Sequence, residues 1–76
     1  MIKTSTKKVL ELAKELNSKE IVLEKSEPKG IVFHTLAYSD LNLNNSVVLL
    51  KGDNNKFYHA KVKKLYLNVF FDFKFE

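Results

Sequence analysis

Ile31-Val32-Phe33-His34-Thr35-Leu36-Ala37-Tyr38, a polar run from Ser39 to Ser46, and then Val47-Val48-Leu49-Leu50 decide how this 76-residue chain folds. In the first segment Ile31, Phe33 and Thr35 alternate with Val32, His34 and Leu36. Apolar residues therefore fall on both sides, as in a strand covered on both faces. Val47 to Leu50 reads the same way. Asp40, Asn42, Asn44 and Asn45 give the run between them the composition of a connection, because these side chains tolerate left-handed turns. Gly52-Asp53-Asn54-Asn55 then predicts a hairpin into Lys56 to Val62. That glycine turn lacks the spacing and the following lysine of a phosphate-binding loop.

Toward the N-terminus, Thr4, Ser5 and Thr6 supply hydroxyls suited to a helix start. Val9, Leu12, Ala13 and Leu16 recur at helical spacing within Lys7 to Asn17, so an amphipathic helix lays one apolar stripe on the body. Asn17 and Ser18 end it, and Ile21-Val22-Leu23 reads as a short strand. Pro28 removes a ladder donor, which places the end of that strand at a sheet edge near Ser26. Glu24, Ser26 and Glu27 on such an end suit either solvent or the groove of a partner.

Toward the C-terminus, Phe57, Tyr58 and His59 interleave with Lys61, Lys63 and Lys64. A surface of this kind stacks bases while neutralising phosphates, and the competing reading is a two-layer strand with its lysines outside. Ala60 and Val62 are apolar on even positions, whereas Leu65, Leu67, Val69, Phe71, Phe73 and Phe75 are apolar on odd ones. The switch at Lys63-Lys64 requires a bulge or turn. The last strand should be paired, since an open aromatic edge invites aggregation, and it also offers a route to dimerisation.

Composition narrows the function classes. The chain has room for one domain over residues 1–76, and one this short buries only about 60% of its unfolded surface. It has no cysteine, so disulfides, thiolate zinc sites and thiol nucleophiles are absent. Its apolar runs are far shorter than the ~20 residues of a membrane span, so a protein of the cytoplasm without membrane attachment is expected. The 13 basic residues, all lysine, against 9 acidic ones give a net charge of +4, which favours encounter with polyanions. Lysine is a hydrated point charge and not a planar fork, so sequence-specific base readout is not expected. His34 has only His59 as a second imidazole and no third ligand, which points away from metal and toward a histidine hydrogen-bonded between layers. No nucleophile with a base and no paired acids stand out, so neither an enzyme nor a cofactor is expected. The expected fold is α+β, with one N-terminal amphipathic helix packed on a mostly antiparallel, twisted sheet of about five strands.

Four pieces of the sequence, in order, resemble the phage-encoded uracil-DNA glycosylase inhibitor (Ugi) family. They are Lys14-Glu15 followed by Lys19-Glu20-Ile21-Val22-Leu23 and Ser26; Ile31, His34 and Thr35 with Ala37 and Tyr38; Asn45 with Val47 to Leu50; and Asp53 with Ala60 and Val62. They cover roughly residues 14 to 62 with short gaps. The His-Thr pair, the strand after it and the turn aspartate are the most telling part. The resemblance implies a non-catalytic inhibitor that binds a bacterial uracil-DNA glycosylase in its DNA-binding groove, acting in the host cytoplasm. Glu24, Lys25 and Ser26, with Glu27 beside them, match the strand that takes places meant for phosphate, and Asp53 matches an acidic turn residue. Phe33, Val48 and Leu50 match the wall of an apolar pocket that holds the enzyme's intercalating side chain. The family's second helix has no counterpart, since only Glu27-Pro28-Lys29 separates the two strands. The alternative function is a basic single-strand nucleic-acid-binding module using the lysines and aromatics of residues 57–66.

Overall fold

Helix α1, Thr6–Glu15, begins where the hydroxyl-rich stretch predicts. In the computed structural model, which describes residues 2–22, 29–39 and 46–62 and the backbone of 73–74, Ser5 is its N-cap. The Ser5 hydroxyl accepts from the Lys8 amide at 3.2 Å, meeting one donor that a helix start leaves unpaired. Ser5→Ala is expected to cost about 1 kcal/mol, read as a lower urea midpoint with an unchanged slope. At the other end Asn17 takes a left-handed conformation (φ 56°). Its amide donates to the Lys14 carbonyl at 3.1 Å and the Ser18 amide to the Ala13 carbonyl at 2.9 Å, a Schellman closure. Val9 and Ala13 are buried and Leu12 is half-buried, so three of the four predicted stripe residues face the sheet. Leu16, at the C-cap, is exposed.

Among the described residues the sheet has six strands: β1 (Ile2–Lys3), β2 (Lys19–Glu20), β3 (Val32–Tyr38), β4 (Ser46–Gly52), β5 (Phe57–Val62) and β6 (Phe73–Lys74). Five lie in the order β1-β3-β4-β5-β2, and β6 pairs with β3 off this path. The centre, β3-β4-β5, is antiparallel, while β1 on β3 and β2 on β5 are parallel. The outer edge of β3 is shared: β1 runs beside Ala37 and Tyr38, and β6 beside Val32 and Phe33. This is an α+β fold with a mostly antiparallel mixed sheet.

One expectation is corrected and two features are added. The second strand is Lys19–Glu20, ahead of the β-branched residues; Ile21 follows it and donates to the His59 carbonyl at 2.9 Å. β1 is a strand that two residues of sequence do not announce. A bulge also interrupts β3: Thr35 faces Leu50 and Ala37 faces Leu49, leaving Leu36 as the extra residue. Because side chains alternate with period two, the bulge switches the phase of β3. It puts Phe33 and Tyr38 against one core and turns both Leu36 and Ala37 to the other. The phase change read at Lys63-Lys64 lies outside the described residues, as do the strand residues 65–71.

All residues of β4 except Lys51 are buried, which confirms its two-faced apolarity. Val47 and Leu49 join Val9, Ala13 and Ala37 under the helix. Val48 and Leu50 join Ile21, Phe33, Tyr58, Ala60 and Val62 on the opposite face. Buried Ser39 closes the far end of the pair, its hydroxyl accepting from the Val47 amide at 2.8 Å.

Candidate functional site

The hairpin between β4 and β5 brings the sequence-marked residues to one end of the sheet. The Gly52 amide donates to the Lys56 carbonyl at 2.9 Å, and the positive φ that the turn needs falls on Asn55 (65°). Asp53 is exposed on this turn, and its amide donates to the Val32 carbonyl at 2.9 Å, which ties the turn to β3.

On the helix-side face, His34, Lys51 and Phe57 form a row, since His34 pairs with Lys51 across β3-β4 and Lys51 with Phe57 across β4-β5. Directly paired residues share a face. The next row toward the helix, Ala37, Leu49 and His59, contributes Ala37 and Leu49 to the core under α1. The Lys51 ammonium lies 5.9 Å from the centre of the Phe57 ring, within cation–π range. Phe57 and Lys51 are half-buried and His34 is exposed. The expectation that His34 sits between layers is thereby corrected: it lies on a covered-looking strand, but in the row that is nearest the hairpin.

Beside Phe57 a groove of about 330 Å³ runs between the helix end and the hairpin, lined by Leu16, Asn17, Lys19, Asn55, Lys56, Phe57 and Tyr58. Tyr58, counted in the sequence among surface rings, is 5% exposed and belongs to the core. Its hydroxyl accepts from the Asn54 carboxamide at 3.0 Å.

A second groove, of about 320 Å³, is lined by Leu10, Ala13, Lys14, Asn17, Ser18 and His59. Here the Ser18 hydroxyl and His59 Nδ1 are 2.6 Å apart. A hydroxyl on an imidazole is a pairing that nucleophilic catalysis uses. The surroundings oppose it, because the Asn17 and Ser18 amides are both spent on helix carbonyls and the negative end of the helix dipole faces the pair. An oxyanion forming there receives neither of these two amides. The bond ties the helix end to β5 across 41 residues of sequence, a contact that no local pattern signals.

Phe33, Val48 and Leu50, implied as pocket wall, are each 0% exposed. They form the closed centre of the second core, where the Phe33 and Tyr58 rings meet edge to face at 5.2 Å. No part of the three side chains is open to an incoming residue, so a partner reaches them only by displacing what covers them. Glu24, Lys25, Ser26 and Glu27 lie outside the described residues. Among the described residues, no group of three or more His, Cys, Asp or Glu side chains is placed to hold a metal ion, and no helix is long and apolar enough to cross a membrane.

Compared with protein-family models, with curated proteins and with solved structures, the chain matches none.

Proposed function

We propose that this chain is a non-catalytic protein inhibitor that binds a bacterial uracil-DNA glycosylase in its DNA-binding groove, within the host cytoplasm. The observation that carries the reading is where the resembling segments fall. β2, which holds Lys19-Glu20, is the outermost strand on the β5 side of the sheet, and residues 24–27 follow it after a few positions. Among the described residues no strand pairs with the outer side of β2, and a segment that enters another protein's groove uses an edge of this kind. His34-Thr35 and Leu50-Lys51 are direct partners, and the turn that follows β4 exposes Asp53. Among the resembling residues Lys19, Glu20, His34 and Asp53 are exposed, while Ala37, Val47 to Leu50, Ala60 and Val62 are core. In this reading Glu24, Ser26 and Glu27 take phosphate positions and Asp53 adds a carboxylate. With a net charge of +4, attraction comes from these local groups and not from the overall field.

The test is uracil excision from a duplex by a bacterial glycosylase incubated first with excess chain. Excision is expected to stop at about one equivalent per enzyme, with the required amount tracking enzyme and not substrate. Unchanged excision at stoichiometric excess removes the reading.

A further inference from the structure

We propose that the groove beside Phe57 is a binding site for one nucleotide of a single-stranded nucleic acid, with the base against the Phe57 ring and the phosphates at Lys19 and Lys56. Three observations converge. The groove brings two ammonium groups from distant parts of the chain to one half-buried aromatic ring. Lys51 reaches over that ring from β4, its ammonium 5.9 Å from the ring centre, and adds positive charge beside it. Asn17 and Asn55, both with positive φ, line the same groove and carry carboxamides able to donate to and accept from a base edge.

The chemistry selects the ligand class. A ring of this kind stacks on any base that has left its neighbours, which favours single strands over duplexes. Lysine, unlike arginine, contacts phosphate as a point charge, so the site discriminates little among sequences. The positive net charge draws polyanions toward it. The residues assigned to this site are different from Glu24 to Glu27, so its test is separate from that of glycosylase inhibition.

The experiment is fluorescence anisotropy of a labelled twelve-residue oligothymidylate titrated with the full chain at low salt, with a duplex of equal length as control. The single strand is expected to bind more tightly than the duplex. If two phosphates are neutralised, a fourfold rise in salt should weaken binding about sevenfold, from a slope of about 0.7 per phosphate. Phe57→Leu, with its fold checked by circular dichroism, should weaken binding about tenfold. Lys19→Gln with Lys56→Gln, at two exposed positions, should weaken binding and flatten the salt dependence. Failure of the single strand to bind at low salt, equal binding of the duplex, or a lysine double variant that keeps full affinity and slope would each overturn the proposal. A folded Phe57→Leu that binds as tightly as the parent would do the same.

Discussion

Phe33→Ala is expected to lose about 3–5 kcal/mol of stability, a large share of what holds the fold. A domain of this length has in total about 4–11 kcal/mol, at about 0.05–0.15 kcal/mol per residue. Two features place Phe33 at the high end. Its side chain is fully buried, so truncation removes the whole ring from the core and leaves a cavity. It also meets the Tyr58 ring edge to face, at 5.2 Å and 82°, a contact worth about 0.5–1.5 kcal/mol beyond burial. The check is urea unfolding followed by far-ultraviolet circular dichroism, with Phe33→Leu as a milder companion expected to retain a cooperative transition. A loss below about 1 kcal/mol for Phe33→Ala, less than any ordinary buried aromatic truncation, would mean that the ring is not the centre of this core. The same pair bears on the proposed inhibition. If a partner's side chain enters this core on binding, Phe33→Leu, which leaves more room, should alter inhibition as well as stability.

How much of this was legible in the sequence follows from the range over which each signal acts. Val9, Leu12 and Ala13 announced the helix face, and Asn17 its end, because spacing and capping act within a few residues. The hairpin was legible for the same reason, and the unbroken apolar run of β4 revealed burial on both faces. The bulge at Leu36 was not legible. It is a relation between Leu36 and the register of β4, and an alternating pattern read along β3 alone has no access to its partner. β1 has only two residues and owes its pairing to Ala37 and Tyr38, so it carries no periodicity of its own.

The candidate site divides in the same way. Asp53 was found because a turn signal implies an exposed tip. Phe57 and Lys56 were marked by their interleaving with charge, but Lys19 and Asn17 join them only through the parallel pairing of β2 with β5. Tyr58 and Phe57 looked alike in sequence and separate by face, one into the core and one toward the groove. That alternation is a property of the strand, and the period of β5 was obscured by aromatic residues on consecutive positions.

Gly52→Ala is expected to cost about 2–3 kcal/mol, at the upper end of what one added methyl group costs in a packed site. The reason is space, since the positive φ of this turn belongs to Asn55 and not to Gly52. A Cβ on Gly52 would stand 2.5 Å from Asn54 Oδ1, 2.8 Å from Ile31 Cγ2 and 3.3 Å from Tyr58 Cε2. The nearest of these is not a free arm. Asn54 Oδ1 accepts from the Lys56 amide at 3.1 Å, and its Nδ2 donates to the Tyr58 hydroxyl at 3.0 Å. Moving it away therefore breaks two hydrogen bonds, and the one at Tyr58 is partly buried, where a lost partner costs about 1–3 kcal/mol. Ile31 is β-branched and rotates little at χ1, so it offers no easy escape. Asn54→Ala isolates the cause: in that background the added methyl should cost clearly less, because the closest neighbour is gone. Urea midpoints of the two single variants and the double variant measure the coupling. Additive losses would place the crowding on Ile31 and Tyr58, and a Gly52→Ala variant within about 0.5 kcal/mol of the parent, the range of an unconstrained surface change, would show that the turn has room. The functional readout follows the same geometry. Asn55, Lys56 and Phe57 leave this turn directly into the groove, so a shift of the hairpin by the added methyl should weaken oligothymidylate binding even under conditions where the variant stays folded.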